Sequence, residues 1–368
     1  MRALRTSPLA LAANITGALL PFISQPASSD REFNTLALKM FAYQHERNLP
    51  FQRFCQQRGK TPRTVKDWRD IPAVPISAFK NLSLSCEPPQ ACARVFMTSG
   101  TTGGDLKGRH YHPSLDVYDR SMIANFRLRF MPDRERIQMG ILFPTEAIMP
   151  NSSLAHYLAL AVTEFGTPSS EYFLDQQGLA VDRLCAMLAD ACARAEPVAL
   201  LGASYSFVHL LDALDTRGLT FTLPADSRLL DTGGFKGQSR ELELDDFYTQ
   251  LAATLGVVRR QCINMYGMTE LSTQFYDEGN LTVPSVKRGP HWIRSRVVDP
   301  LSGVELEPGQ PGILSHCDLA NFNSVTSILT EDLGVAVDTG FRLLGRAEGA
   351  HAKGCSLAVE EFLRAAQA

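Results

Sequence analysis

The sequence predicts an α/β fold: a mainly parallel sheet flanked by helices, followed by a smaller β-rich region. Three observations carry this. The apolar runs Arg136–Phe143, Val198–Leu201, Arg228–Leu230 and Gln261–Asn264 are too short for buried helices. Helical patterns separate them, the alternation that builds parallel sheets with helices on their faces. From about residue 291 that alternation stops. The runs His291–Val298 and Gly312–Ser315 then read as strands, parted by the Pro- and Gly-rich turn Glu307–Gly312.

Taken in order, residues 1–30 are expected as an N-terminal extension, poorly ordered or loosely helical. Arg2 and Arg5 before an apolar stretch outline a secretory signal, but Asn14, Thr16 and Gly17 interrupt it and no small-x-small site follows. Residues 31–58 read as a helix rich in Phe, Leu and Gln. Pro72 and Pro75 push their predecessors toward extended backbone, so Ile71–Lys80 is not regular helix. The run Arg136–Phe143 is a buried strand that stops at Pro144. Val181, Leu184, Cys185, Leu188 and Cys192 share one helical stripe, which marks both cysteines as core residues. After the Val198–Leu201 strand, Ser204 offers an N-cap to a helix bearing Phe207, Val208, Leu210, Leu211 and Leu214. The strand at Arg228 ends at Gly233-Gly234, a helix covers roughly 240–255, and the strand at Gln261 leads to Tyr266. The domain reading is a core over 31–290, a β-rich subdomain over 291–347 and a tail over 348–368.

Composition narrows the function. The 368 residues carry a net charge of -3 and a pI near 6.3, without the basic excess of a nucleic-acid binder. No apolar run approaches the roughly 20 residues of a membrane span. Eight cysteines stand without a C-x-x-C pair, which fits reduced thiols in a cytoplasmic protein rather than a zinc site. His110 and His112 lack a third ligand and are expected as surface residues.

Three segments carry chemistry. Thr98, Ser99, Gly100, Thr101, Thr102 and Gly103 concentrate hydroxyls and glycines directly after Phe96-Met97. Such a loop can surround phosphate oxygens with N–H and O–H donors, and it can equally be a plain surface loop. Tyr266, Gly267, Thr269 and Glu270 offer a stacking aromatic, a hydroxyl and a carboxylate that can hold Mg²⁺. An ordinary turn ahead of a helix would also look like this. Asp332 and, beyond it, Arg346 offer an acceptor for vicinal hydroxyls and a guanidinium for phosphate. Gly233 and Gly234 and the Tyr266 turn both follow strand carboxyl ends, where ligands of parallel sheets bind.

In this order the three segments resemble the acyl-adenylate-forming enzymes, with Asp231–Lys236 similar to their adenine-side segment. Within that superfamily the chain resembles the acyl-protein synthetases, the long-chain-fatty-acid–luciferin-component ligase family. The resemblance runs from about residue 30 through Trp68–Lys80, Gly202–Phe207, His291-Trp292, Asp299-Pro300 and Pro311-Gly312 to Ala352–Leu357. It departs in two places. Gly104–Gly108 is one residue longer than the family's phosphate-loop ending, and the large mobile C-terminal domain is replaced by the tail after Glu348.

The resemblance implies ATP and Mg²⁺, with Glu270 on the metal, Thr269 and the Thr98–Gly103 loop on phosphates, Asp332 on ribose and Arg346 on the nucleotide. It implies a carboxylic acid substrate of the fatty class, with His156, Ser204 and Tyr205 near the acyl group. It makes Cys355 the nucleophile that takes the acyl group as a thioester, for transfer to an acyl-CoA-reductase-like partner. A Cys355 in a swinging tail beside His351 and Lys353 would have a lowered pKa. Two rival readings are a phenylacetate-type carboxylate–CoA ligase, which would not need Cys355, and a non-enzymatic acyl-carrying or scaffolding subunit.

Overall fold

Short β-branched and leucine-rich runs become central strands wherever helices cover both faces. The computed structural model describes residues 8–98, 106–235 and 239–367. These described residues form two units: those up to 124, 268–273 and those from 289 onward in the first, and those between 125 and 267 with 274–288 in the second.

The second unit holds the predicted sheet. Its strand order is Phe275–Tyr276, Cys262–Tyr266, Arg228–Thr232, Val198–Ala203, Gln138–Leu142, Glu171–Tyr172. All neighbours run parallel except the Phe275–Tyr276 edge. Helices Ser153–Phe165, Val181–Arg194, Ser204–Thr216 and Leu244–Leu255 supply the connections. One core joins strand residues Leu142, Leu200 and Leu229 to Leu184, Phe207, Leu211 and Phe247, with Cys185 and Cys192 packed partly buried against it. Gly202 is required where two strands nearly touch: a Cβ there would lie 2.7 Å from the Leu142 carbonyl oxygen.

The first unit is built on an antiparallel sheet of Ile293–Val298, Pro311–Asp318, Ser327–Val337 and Gly340–Arg346. The Val74–Pro75 strand joins it in parallel, with Val74 opposite Ile328. This pairing explains the proline-rich stretch, because an edge segment tolerates missing N–H donors. Arg94–Met97 and Arg109–His112 form a separate hairpin.

Several expectations are corrected here. The helix expected over 31–58 is two helices, Asp30–Arg47 and Leu49–Gln57, broken at Asn48, whose side chain caps the second. The extension expected over 1–30 contains the helix Pro8–Ile23, with Ile15, Leu19, Phe22 and Ile23 buried. The tail expected over 348–368 is the helix Gly349–Gln367. Phe362 stacks edge-on against Phe54 at 4.8 Å, and Arg53 donates to the Ala366 carbonyl at 2.8 Å. The units also cut across the linear domain boundaries, because sequence order does not reveal that Val74 pairs beside Ile328. Among the described residues no helix is long and apolar enough to cross a membrane.

Candidate active site

Glu270 is the most informative residue of the first unit. It is 5% exposed, and burial pushes its carboxyl up to about 7. A Cβ on Gly108 would lie 3.0 Å from Glu270 Oε1 and 3.1 Å from the Thr98 methyl, so the carboxylate sits over bare glycine backbone. Gly108 N–H donates to Thr98 Oγ1 at 2.9 Å, and Thr98 N–H to the Gly108 carbonyl at 3.0 Å. Thr98 and Glu270, 172 positions apart by number, are thus brought together. Ser99, Gly100, Thr101, Thr102 and Gly103 lie outside the described residues.

The turn carrying Glu270 is held from three sides. His110 Nδ1 hydrogen-bonds the Thr269 carbonyl at 3.0 Å. Asn321 donates from Nδ2 to the Glu270 carbonyl at 2.8 Å. Asp318 accepts from Ser272 N–H at 3.0 Å and from Thr273 Oγ1 at 2.7 Å. Trp292 Nε1 donates to Ser121 Oγ at 2.9 Å and to Thr273 Oγ1 at 3.1 Å, closing the network. Backbone and hydroxyls of residues 269–273 are anchored, whereas among the described residues no side chain donates to the Glu270 carboxylate. Its raised pKa follows from burial first, against weaker lowering by its own backbone and by Arg346 and Lys80.

Asp332 and Arg346 are cross-strand partners, with Arg346 Nη1 3.3 Å from Asp332 Oδ1 and 3.7 Å from Glu331 Oε2. Arg346 is largely exposed, so its guanidinium is accessible to a ligand. Glu331 also accepts a short hydrogen bond from Ser77. Ser77 follows the Val74–Pro75 strand, so the proline-rich segment borders this charged cluster.

Cys355 departs from its expected setting. Its side chain is buried with Val298, Ile313, Leu329 and Ala358, and the thiol faces the Thr330 carbonyl at 3.9 Å. Burial, with Glu331 and Asp332 adding to it, pushes the thiol up to about 11. The expected lowering by His351 and Lys353 is overturned, since neither is among the groups that shift it.

The second unit places the other candidates at strand ends. Ser204 does not cap its helix. Ala203 occupies that position, and the Ser204 hydroxyl donates instead to Asp231 Oδ2 at 2.7 Å and to the Thr232 carbonyl at 3.0 Å. The reason is competition: a buried carboxylate on the next strand is the stronger acceptor. Asp231 also accepts from Tyr248 at 3.0 Å and from Asn264 Nδ2 at 2.9 Å, and its carboxyl is nonetheless raised to about 6 by burial. Lys287 extends the network, donating to Asn264 Oδ1 at 2.5 Å and Asp277 Oδ2 at 2.8 Å. Beyond Asp231, Gly233 takes φ of +81°, a conformation that favours glycine, and open space lies where a Cβ would stand on either Gly233 or Gly234. Tyr266 closes its strand against Phe275 at 5.9 Å, and Gly267 is the last residue of this unit before the chain crosses to Met268. His156 is buried with Nδ1 2.8 Å from Glu146, and Tyr205 is half-buried with its phenol raised by burial.

His110 and His112 are corrected: both are buried, and burial holds His110 down to about 4, hence neutral. Sequence reasoning missed His110, Asp318, Asn321, Tyr248 and Lys287 as supports. The available signal was a polar residue inside or closing an apolar run, as Asp231 and Asp318 do; His110, between Arg109 and Tyr111, carries no such signal.

The family model described as acyl-protein synthetase, LuxE, matches residues 20–364. A long-chain-fatty-acid–luciferin-component ligase of Vibrio harveyi is 23% identical over 337 residues, covering 88% of this chain and 86% of that protein. The protein of the same name from Aliivibrio fischeri is 22% identical over 347 residues, covering 89% and 88%. Among solved structures, a 2-hydroxyisobutyryl-CoA ligase in its postadenylation state aligns with a TM-score of 0.63 at 15% identity, over 89% of this chain and 70% of that one. ATP-bound MatB from Rhodopseudomonas palustris aligns with a TM-score of 0.50 at 19% identity over 71% of this chain, which spans 49% of MatB. The fold is that of adenylate-forming ligases.

Proposed function

Because the chain belongs to the acyl-protein synthetase family and is an ATP-dependent acid ligase, we propose that it activates a fatty carboxylic acid as acyl-AMP and hands the acyl group to Cys355. A carboxylate oxygen attacks the α-phosphorus of ATP. The bond from that phosphorus to the β-phosphate bridging oxygen breaks, and pyrophosphate leaves with the electron pair. The single observation behind this step is the convergence of Thr98, Gly108 and Glu270, with Arg346 among the charges that Glu270 feels.

In the proposed roles, Thr98 and the loop after it donate to phosphate oxygens, and the Arg346 guanidinium steadies charge as pyrophosphate departs. Asp332 accepts from ribose hydroxyls. Gly233, Gly234, Tyr266 and Gly267 border the adenine, and His156, Ser204 and Tyr205 the acyl group. The donor set suits Mg²⁺: among the described residues Glu270 is a buried carboxylate to which no side chain donates. Magnesium takes one or two protein carboxylates and completes its shell with water and substrate phosphates. When bound it would neutralise phosphate charge.

In the second step the Cys355 thiolate attacks the acyl carbonyl carbon, the carbonyl–phosphate bond breaks, AMP leaves, and the thiol proton passes to solvent. Transfer onward would go to a cysteine of a reductase-type partner. The buried thiol requires the Gly349–Gln367 helix to leave its strand first. Gly345 at φ +120° and Gly349 at φ +56° flank the connection where such a movement would turn. That burial also favours a second reading, a carboxylate–CoA ligase that leaves Cys355 in the core.

Two measurements test the proposal. Acid-dependent exchange of pyrophosphate into ATP should proceed without any acceptor; its absence over a range of fatty acids would remove the activation step. Intact mass after incubation with ATP and acid should show one hydroxylamine-labile acyl group, missing in Cys355→Ser while exchange continues. Release of acyl-CoA with an unmodified chain would establish the second reading.

A further inference from the structure

We propose that a cavity in the first unit, of about 330 Å³, binds an amphiphilic anion: a carboxylate or phosphate monoester on an apolar stem of moderate length. Its walls include Arg296, Val298, Ser315, Leu329 and Ala358, none of which belongs to the Glu270 cluster. Arg296 and Ser315 are direct cross-strand partners and project to the same face of the sheet. Among the described residues, neither side chain has a hydrogen bond or an ion pair. Arg296 is half-buried; its guanidinium carbon stands 5.6 Å from the Trp68 ring centroid, and Glu305 and Asp67 act on it as charges from beyond ion-pair distance.

No Arg296 nitrogen is both buried and unpartnered, so the guanidinium stays open to the cavity while lacking a fixed anion, whereas charges at such walls are ordinarily matched. The other cations at the rim are already matched. Arg58 pairs with Glu361 at 2.6 Å, Lys60 with Asp70 at 3.0 Å and Arg69 with Asp67 at 3.2 Å. Glu305 also lines the cavity without approaching Arg296 to within the 4.0 Å of an ion pair. The cation left over is therefore the one at the cavity wall, beside a hydroxyl able to donate to the same anion. A guanidinium fork plus a hydroxyl suits carboxylate or phosphate oxygens. Val298, Leu329 and Ala358, on the same wall, provide the apolar half and are also residues that bury Cys355. The volume sits at the lower end of ligand cavities, roughly 300–1,000 Å³, which favours a short or medium chain over a long one.

Calorimetric titration of the full chain without nucleotide tests this, using octanoate, octyl phosphate and octanol as probes. Octanoate or octyl phosphate should saturate a site that Arg296→Gln weakens, separate from the proposed acyl site at His156, Ser204 and Tyr205, and the tighter of the two identifies the headgroup. Octanol, with the same stem and no charge, should bind at least about tenfold more weakly. Arg296→Gln should weaken the anion by about tenfold or more, Ser315→Ala by a few-fold, and Arg296→Lys should recover part of the loss. Arg296 lies over the Trp68 ring, so Arg296→Gln should lower the thermal midpoint slightly, while Ser315→Ala should leave it near wild type; if Arg296→Gln does not fold, Arg296→Lys and Ser315→Ala carry the comparison. Equal affinity in the folded variants and wild type, octanol binding as tightly as octanoate, or no saturable site would overturn the proposal. Pyrophosphate exchange should persist in Arg296→Gln. Loss of exchange in wild type would end the activation reading while leaving this site standing.

Discussion

Glu270 in one unit and Asp231 in the other are both buried carboxylates with raised pKa values, about 7 and about 6, and in both burial is the leading cause. They differ in what surrounds the oxygens. Asp231 accepts from Ser204, Tyr248 and Asn264, while Glu270 faces a glycine and a threonine methyl and its turn is held through backbone instead. Perturbed titration alone therefore does not separate chemistry from architecture. A saturated carboxylate fixes strand ends; a carboxylate stranded over bare backbone is available to a ligand.

The largest expected effect breaks or keeps that distinction. Glu270→Gln retains shape but removes the charge proposed to hold the metal, and should lower pyrophosphate exchange by on the order of 10²–10³-fold. Exchange within a few-fold of wild type would place Glu270 with Asp231 as architecture.

Stability should move the opposite way. A Glu270 raised from 4.5 to about 7 means the folded chain binds more protons than the unfolded one between those values. Stability contributed by this group thus falls as pH rises through that window and stays low above it. Glu270→Gln removes the penalty, so the variant should gain on the order of 3 kcal/mol at pH 8 and nothing below pH 4.5. Asp231→Ala should instead lose roughly 3 kcal/mol, since it strands three buried donors. Urea unfolding at pH 8 checks both signs, and a shared sign would erase the contrast between the two carboxylates.

The same pKa shapes catalysis. The proposed metal-holding form of Glu270 is the ionised one, so kcat/KM for the exchange reaction should fall about tenfold per pH unit below about 7 and level off above it. An unbroken plateau down to pH 5 would show that its ionisation is not required.

What sequence could show depended on the range of the cause. The strands at Val198, Arg228 and Cys262 were legible because an apolar run between turn residues is a local signal. Thr98, Glu270, Asp332 and Arg346 stood out as candidates because a hydroxyl, carboxylates and a guanidinium in these segments suit nucleotide chemistry. Their supports did not. Asp318 reaches Ser272 across 46 positions and His110 reaches Thr269 across 159, and a histidine between a polar neighbour and a tyrosine carries no mark of burial. Ser204 misled for a related reason: serine before a helix suggests a cap, and only the parallel register with Asp231 reveals the stronger acceptor. The burial of Cys355 was hidden likewise, since the Ala352–Leu357 segment gives no sign that Gly354 lets its helix approach a distant loop.

That close approach supplies the smallest expected effect and extends the comparison to a third buried titrating group. A Cβ on Gly354 would lie 2.6 Å from Pro300 Cγ, within the range where something must shift. Alanine favours helix over glycine by about 1 kcal/mol, so Gly354→Ala should keep the Gly349–Gln367 helix while lifting it from Pro300, at a cost of about 1–3 kcal/mol in docking. If the thiol is raised to about 11 by that docking, loosening the helix should speed its alkylation. Peptide mass spectrometry after iodoacetamide treatment at pH 8 should show Cys355 labelled several-fold faster in the variant, with Cys317, buried in the Pro311–Asp318 strand, as an unchanged reference. Equal rates, with the helix amides equally protected from exchange, would mean that Pro300 does not govern access to the sulfur, and Cys355 would then stand with Asp231 as fixed architecture rather than with Glu270 as a group kept ready to react.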